Sequence, residues 1–259
     1  MILTYLAISV FGLIILYFFL KFFFSKKKKQ TNEIPKHWHV LLHDKVLFYK
    51  KLNKEEQLCF REQVQFFFNK INIESVGFEL EELDELLVAS SAVIPVFNFK
   101  NWSYSNIKTV LIYPDYFNED LQFDIEATNK TIGGLIGNGR FENQMILSRK
   151  ALHHGFLNKT DKGNTGIHEF IHLLDKLDGT VDGIPKVLLA NENVLPWLEL
   201  IHKKIEAINK DSSDIRSYGG TSKEEFFAVA SEYFFERPML LKRKHPELFR
   251  MLSDCFKKV

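Results

Sequence analysis

Cysteine is nearly missing from this chain: 259 residues contain only Cys59 and Cys255. Two thiols cannot build a disulfide framework, so the fold must rest on an apolar core, with each cysteine read as a small buried hydrophobe. Net charge is nearly missing too. Against 34 Lys and Arg stand 33 Asp and Glu, leaving a formal charge of +1. That balance excludes a broad nucleic-acid-binding surface. Apolar material is not lacking. With 46% hydrophobic and 26% charged residues, the composition is globular rather than disordered, and the length suits one domain plus an appendage.

Charge is wholly absent from residues 1–20. After Lys21 come Phe22-Phe23-Phe24, Ser25 and the run Lys26-Lys27-Lys28-Lys29. A helix over this apolar run would be roughly 34 Å long, enough to cross a bilayer with some tilt. A cleavable signal peptide would carry its positive charge before the apolar run and small residues after it; here both are reversed. The pattern predicts one transmembrane helix over 1–24, a basic polar linker over 25–33 and a domain over 34–259. Lysines on the C-terminal flank predict a single-pass membrane protein with that domain in the cytoplasm.

The next stretch is mostly helical in pattern. Asn53-Lys54-Glu55-Glu56 resembles a capping box, followed by Leu58, Val64, Phe67, Phe68 and Ile71 at rough helical spacing. Residues 79–93 predict a second helix, with Leu80, Leu83, Leu86 and Leu87 on one side and a stop near Pro95. Val110-Leu111-Ile112-Tyr113 predicts a strand ended by Pro114, and residues 131–147 predict a hairpin around Gly137-Asn138-Gly139. His153-His154 reads as part of a loop without a metal role. His37, His39 and His43 read as a solvated cluster.

The chemistry centres on Gly166-Ile167-His168-Glu169-Phe170-Ile171-His172-Leu173-Leu174-Asp175. Positions i and i+4 of a helix share one face, so both imidazoles of His168-Glu169-x-x-His172 can reach one metal ion. Glu169 is displaced by one residue, where a carboxylate can take a proton from an activated water. Three ionisable groups among Ile, Phe and Leu are costly unless they share a task.

Two histidines leave a catalytic metal short of a third protein ligand. A metzincin would need Gly at 175 and His at 178; this chain has Asp175 and Asp178, so that class is excluded. Asp175 stands too near in sequence to close round the same ion easily, but it suits a hydrogen bond to a ligand imidazole. Asp182, in Gly179-Thr180-Val181-Asp182, has the form of an aspzincin ligand. Glu225 and Glu232 share one face of an apolar helical stretch with Val229, where a buried carboxylate needs a partner. The residues alone leave these alternatives open.

The motif His168-Glu169-Phe170-x-His172-x-Leu174-Asp175, then Tyr218, then Glu225-x-Phe227-Ala228-Val229-x-Ser231-Glu232-Tyr233-Phe234-Phe235, resembles the Mlc titration factor A family of zinc-dependent peptidases. That family is similar in active-site plan to the catalytic domain of anthrax lethal factor. Leu111-Ile112-Tyr113-Pro114 and Ile146-Leu147-Ser148 extend the resemblance over most of the chain after residue 33. It implies an α+β, mostly helical, zincin-like metallopeptidase domain with a small sheet. It also implies that His168, His172 and Glu225 bind Zn²⁺, that Glu169 is the catalytic base, and that the Tyr218 hydroxyl points at the reaction centre.

The expectation is therefore a membrane-anchored zinc metallopeptidase acting on peptide or protein substrates. A different class competes with it: a membrane-tethered zinc-binding regulatory protein that holds a partner, such as a transcriptional regulator, with little turnover. A closed site of four protein ligands would favour the second; three ligands with an open position would favour the enzyme.

Overall fold

The computed structural model describes residues 34–257 except 100, 125, 138, 159 and 160. Ten α-helices and four strands are present among them. The first three helices are α1 (Trp38–Lys45), α2 (Leu47–Lys51) and α3 (Lys54–Phe68). The α3 capping box is real: Asn53 accepts from the Glu56 N–H at 2.9 Å, and Glu56 accepts from the Asn53 N–H at 2.9 Å. Strand β1 (Asn72–Ser75) follows, then helix α4 (Glu82–Val96). Helix α4 passes through Pro95 rather than stopping before it. The proline sits in the last turn, where its missing N–H and ring disturb little downstream helix.

Strand β2 (Thr109–Tyr113) lies parallel to β1, and β4 (Gln144–Ser148) lies parallel to β2. Strand β3 (Gly134–Ile136) completes the predicted hairpin by pairing antiparallel with β4, Leu135 opposite Ile146. The sheet order β1-β2-β4-β3 leaves β3 at an edge. At the end of β4, Ser148 caps helix α5 (Arg149–Leu157) by accepting from the Ala151 N–H at 3.1 Å. His153 and His154 therefore lie on a helix rather than in a loop. His153 Nε2 lies 2.6 Å from the buried Asp84, which also accepts from Arg149 Nε at 2.8 Å.

Helix α6 (Thr165–Asp175) carries the His-Glu-x-x-His motif through the middle of the core. Asn164 caps it by accepting from the Ile167 N–H at 3.1 Å. Phe170, Ile171, Leu173 and Leu174 are fully buried. Gly166 permits the crossing with α4, because a Cβ there would stand 2.1 Å from Ser91 Oγ. Helix α7 (Val194–Asn209) and a short turn of helix at Ser217–Gly220 lead to α8 (Lys223–Glu236), which packs on α6. Helices α9 (Pro238–Lys244) and α10 (Pro246–Phe256) close the chain.

One expectation is corrected here. The single-pass membrane localisation, with the membrane as a partner, is not carried forward: among the described residues no helix is long and apolar enough to cross a membrane. The longest, α7, has 16 residues, where a crossing needs about 20. The run over 1–24 that suggested a transmembrane helix, and the linker over 25–33, lie outside the described residues.

Candidate metal centre

Helices α6 and α8 bring three of the expected donors together. His168 Nε2 and His172 Nε2 are 3.0 Å apart; Glu225 Oε2 lies 3.1 Å from the first and 3.5 Å from the second. Donors at 2.0–2.1 Å from one zinc ion, on tetrahedral corners, stand about 3.3 Å apart. His168, His172 and Glu225 could thus hold a metal ion, and they are the group of three among the described residues whose ligand atoms converge in this way. The Glu225 oxygen is buried and has no hydrogen-bond partner of good geometry. An acceptor aimed at two imidazoles and satisfied by neither is what a metal ligand looks like without its ion.

The local sequence explains why Glu225 is free to do this. Ser222 caps α8 by accepting from the Glu225 N–H at 3.3 Å, and the Glu225 side chain turns to the histidines rather than back to the cap. Its position in the first helical turn also suits a negative charge. Burial works against ionising Glu225, but the two imidazoles outweigh it and hold the carboxyl well below its usual range. Burial likewise opposes a charged His168, yet Glu232 and Glu225 outweigh it and push this imidazole up to about 10.

Glu169 lies beside the three donors. It is buried, and burial raises its pKa. Strand β3 touches it directly: a Cβ on Gly134 would stand 2.6 Å from Glu169 Cγ and Oε1. Only a glycine lets the edge strand come this close. Tyr218 stands at the mouth, 51% exposed, with its ring centroid 5.9 Å from that of His168. Burial of its hydroxyl and the Glu225 carboxylate push its pKa up to about 12, so it keeps its proton. A cleft of about 410 Å³ opens over these groups, walled by Ile132, Leu135 and Ile136 on one side and Tyr218 and Glu225 on the other. That volume lies in the range of ligand-binding clefts.

A family model described as glucose-regulated metallo-peptidase M90 matches residues 22–257. The chain belongs to the M90 metallopeptidase family. It is 28% identical over 220 residues to Mlc titration factor A of Cronobacter sakazakii, an alignment that covers 79% of each chain. It is 26% identical over 234 residues to an uncharacterised protein of Synechocystis, covering 86% of this chain and 84% of the other. It is also 26% identical over 196 residues to Mlc titration factor A of Escherichia coli, covering 70% of each. The expected family thus holds, and membership in M90 implies a metal.

The M90 chain places the remaining candidates outside the triad. Asp182 accepts from the Ile184 N–H of its own turn at 3.0 Å. Asp175 accepts from the Gly183 N–H at 2.8 Å rather than from a ligand imidazole. Its other oxygen and His172 Nδ1 are both buried without a hydrogen-bond partner. Burial pushes the Asp175 carboxyl up to about 6. Glu232 is the carboxylate that meets an imidazole of the triad: its Oε1 lies 2.8 Å from His168 Nδ1. Arg216 NH2 donates to the same oxygen, and the Asn164 N–H donates to Glu232 Oε2. Sequence reasoning raised Glu232 as a ligand candidate but missed Arg216, Asn164 and Gly134. Arg216, two residues before Tyr218, carried no motif of its own.

Proposed function

We propose that the protein is a zinc-dependent peptidase whose metal is held by His168, His172 and Glu225. The observation that carries this reading is the convergence of three donors 3.0–3.5 Å apart beside Glu169, under an open cleft. Three protein donors rather than four suit a catalytic site. Bound zinc would supply a Lewis acid that polarises the scissile carbonyl and lowers the pKa of water to about 7.

The chain's own residues do the rest. Glu169 takes a proton from the attacking water and returns it to the leaving amine. Burial favours its protonated form, which strengthens it as the base that takes the proton from water. The Tyr218 hydroxyl, protonated up to about 12, donates a hydrogen bond to the oxyanion that forms from the carbonyl. Glu232 fixes the tautomer and orientation of His168, and Arg216 and Asn164 hold Glu232. The unpaired edge of β3 along the cleft offers main-chain groups to an extended peptide, which supports peptide or protein as the substrate class.

A second reading has one observation in its favour. Relatives carry the name Mlc titration factor A, a name for a regulatory activity. On that reading the protein binds a regulatory partner and turns over little substrate. One experiment separates the two. The full chain, loaded with zinc, is assayed on a peptide library with and without chelator, beside Glu169→Gln. The peptidase reading expects chelator-sensitive hydrolysis, and retention of zinc by the variant with activity down by about 10²-fold or more. Undiminished hydrolysis by Glu169→Gln would sink the mechanism. Absence of hydrolysis by the zinc-loaded chain would favour the regulatory reading.

A further inference from the structure

A second cavity, of about 470 Å³, lies between α3, α4 and the loop over 101–104, and shares no lining residue with the metal cleft. Its walls combine apolar side chains with Glu62, Gln63, Lys70, Asn101 and Ser103. Phe66 and Ile71 come from α3 and its end, Val93 and Val96 from α4. Its size falls within the range of small-molecule sites. Two further wall residues, Phe67 and Tyr104, place their rings 5.8 and 5.2 Å from that of Phe170, which lies between the two histidines of α6. An occupant would thus rest on groups that touch the back of the metal helix.

Two polar features of this cavity bear on what it would hold. The indole Nε1 of Trp102 is buried and donates to nothing. Indole is a donor only, so this N–H asks for an acceptor that the protein does not provide. At the rim stands Lys70, exposed, with its ammonium 5.7 Å from the Phe66 ring centroid. Glu62 marks the other end. Glu62 lies within α3 and Lys70 just beyond its end, so an anionic head is favoured at one end and disfavoured at the other.

We propose that this cavity binds an elongated apolar monocarboxylate of the medium-chain fatty-acid class, with its chain between α3 and α4 and its carboxylate at Lys70. The Trp102 N–H gives its proton to an oxygen of the same molecule. Phe66, Ile71, Val93 and Val96 accept the alkyl chain, and the Lys70 ammonium favours a monoanion over a neutral lipid.

The test is calorimetric titration of decanoate, below its micellar concentration, into the full chain, with intrinsic fluorescence as a second readout. The expected result is saturable binding of one decanoate per chain, with a change in tryptophan emission that Trp102→Phe removes. Lys70→Glu, at an exposed position that does not endanger folding, weakens binding by about tenfold or more, the scale of one charged hydrogen bond. Decanol binds more weakly than decanoate. Val93→Phe, which fills the cavity, weakens both. Failure of decanoate to saturate the wild-type chain would overturn the proposal, as would equal affinity for wild type and Lys70→Glu.

Discussion

Glu232 Oε1 lies 2.8 Å from His168 Nδ1, on the side of the ring away from Nε2, which faces His172 and Glu225. The carboxylate is 1% exposed in its side chain and takes further hydrogen bonds from Arg216 and the Asn164 backbone. A buried carboxylate so fully engaged cannot swing, so the imidazole it holds cannot swing either. Outer partners of this kind typically account for tenfold to a hundredfold in metal affinity. Glu232→Gln is expected to weaken zinc binding by about that factor while leaving the fold intact. Competition against a chromogenic chelator measures the affinity, and circular dichroism checks the fold. Unchanged affinity would show that the hydrogen bond serves packing alone.

Two of the carboxylates that sequence offered as third ligands make opposite predictions. Glu225 converges with both imidazoles, whereas Asp182 bonds within its own turn. Glu225→Ala should lose zinc by more than the roughly hundredfold typical of an outer partner. Asp182→Ala should retain zinc at wild-type stoichiometry. Metal analysis after gel filtration reads both, and the reverse result would move the third ligand to the nearer aspartate.

What was legible in the sequence was what is local. His168, Glu169 and His172 announce their geometry because i and i+4 on one helix must share a face, and Asn53 with Glu56 announces a helix start for the same reason. Glu225 was readable only through the long pattern that surrounds it, since nothing local ties α8 to α6. The hairpin of β3 and β4 was legible from its turn, but the parallel pairing of β1, β2 and β4 was not, because its partners are distant in sequence. Asp175 was hard to read for a related reason. Spacing put it on the ligand face, but the loop at Gly183, which claims its oxygen, arrives from the chain beyond. His153 read as a loop residue because Gly155 follows it closely, whereas Ser148 sets the helix start just upstream. The membrane expectation rested on the apolar run over 1–24 alone, and no described helix adds to it.

Gly134 joins the fold to the site. A methyl group there would meet Glu169 Cγ and Oε1 at 2.6 Å, and ordinary Cβ contacts do not come so close. Either β3 retreats from the cleft or Glu169 leaves its position. Gly134→Ala is therefore expected to cost about 1–3 kcal/mol of stability, the usual scale of overpacking, and to reduce hydrolysis far more than zinc content. Thermal unfolding and metal analysis, set beside the assay, separate the two effects. Wild-type activity in this variant would show that β3 yields freely and does not confine the base.

Glu236, at the end of α8, gives a pH dependence whose sign can be worked out. Burial is the main influence on it, the nearby Glu232 and Asp161 add to it, and an Asn164 amide donor at 3.3 Å only partly offsets them, so its carboxyl is pushed up to about 7. In the unfolded chain the same carboxyl ionises near 4.5. Between these values the unfolded state gives up its proton while the folded state keeps it. The folded chain is then penalised as pH rises. The contribution is fully present below about 4.5 and is lost as pH climbs through about 7. Gln cannot ionise, so Glu236→Gln removes this dependence. Other groups, such as Asp84 and Asp214, have lowered pKa values and lose stability as pH falls, the opposite slope. They contribute equally to both proteins, so the informative quantity is the difference in Tm between variant and wild type. That difference should grow in the variant's favour from pH 5 to pH 8 by roughly 2–4 °C, the response of a domain this size to about 1 kcal/mol. A difference that stays flat across this range would mean that Glu236 ionises in the folded protein as it does in water.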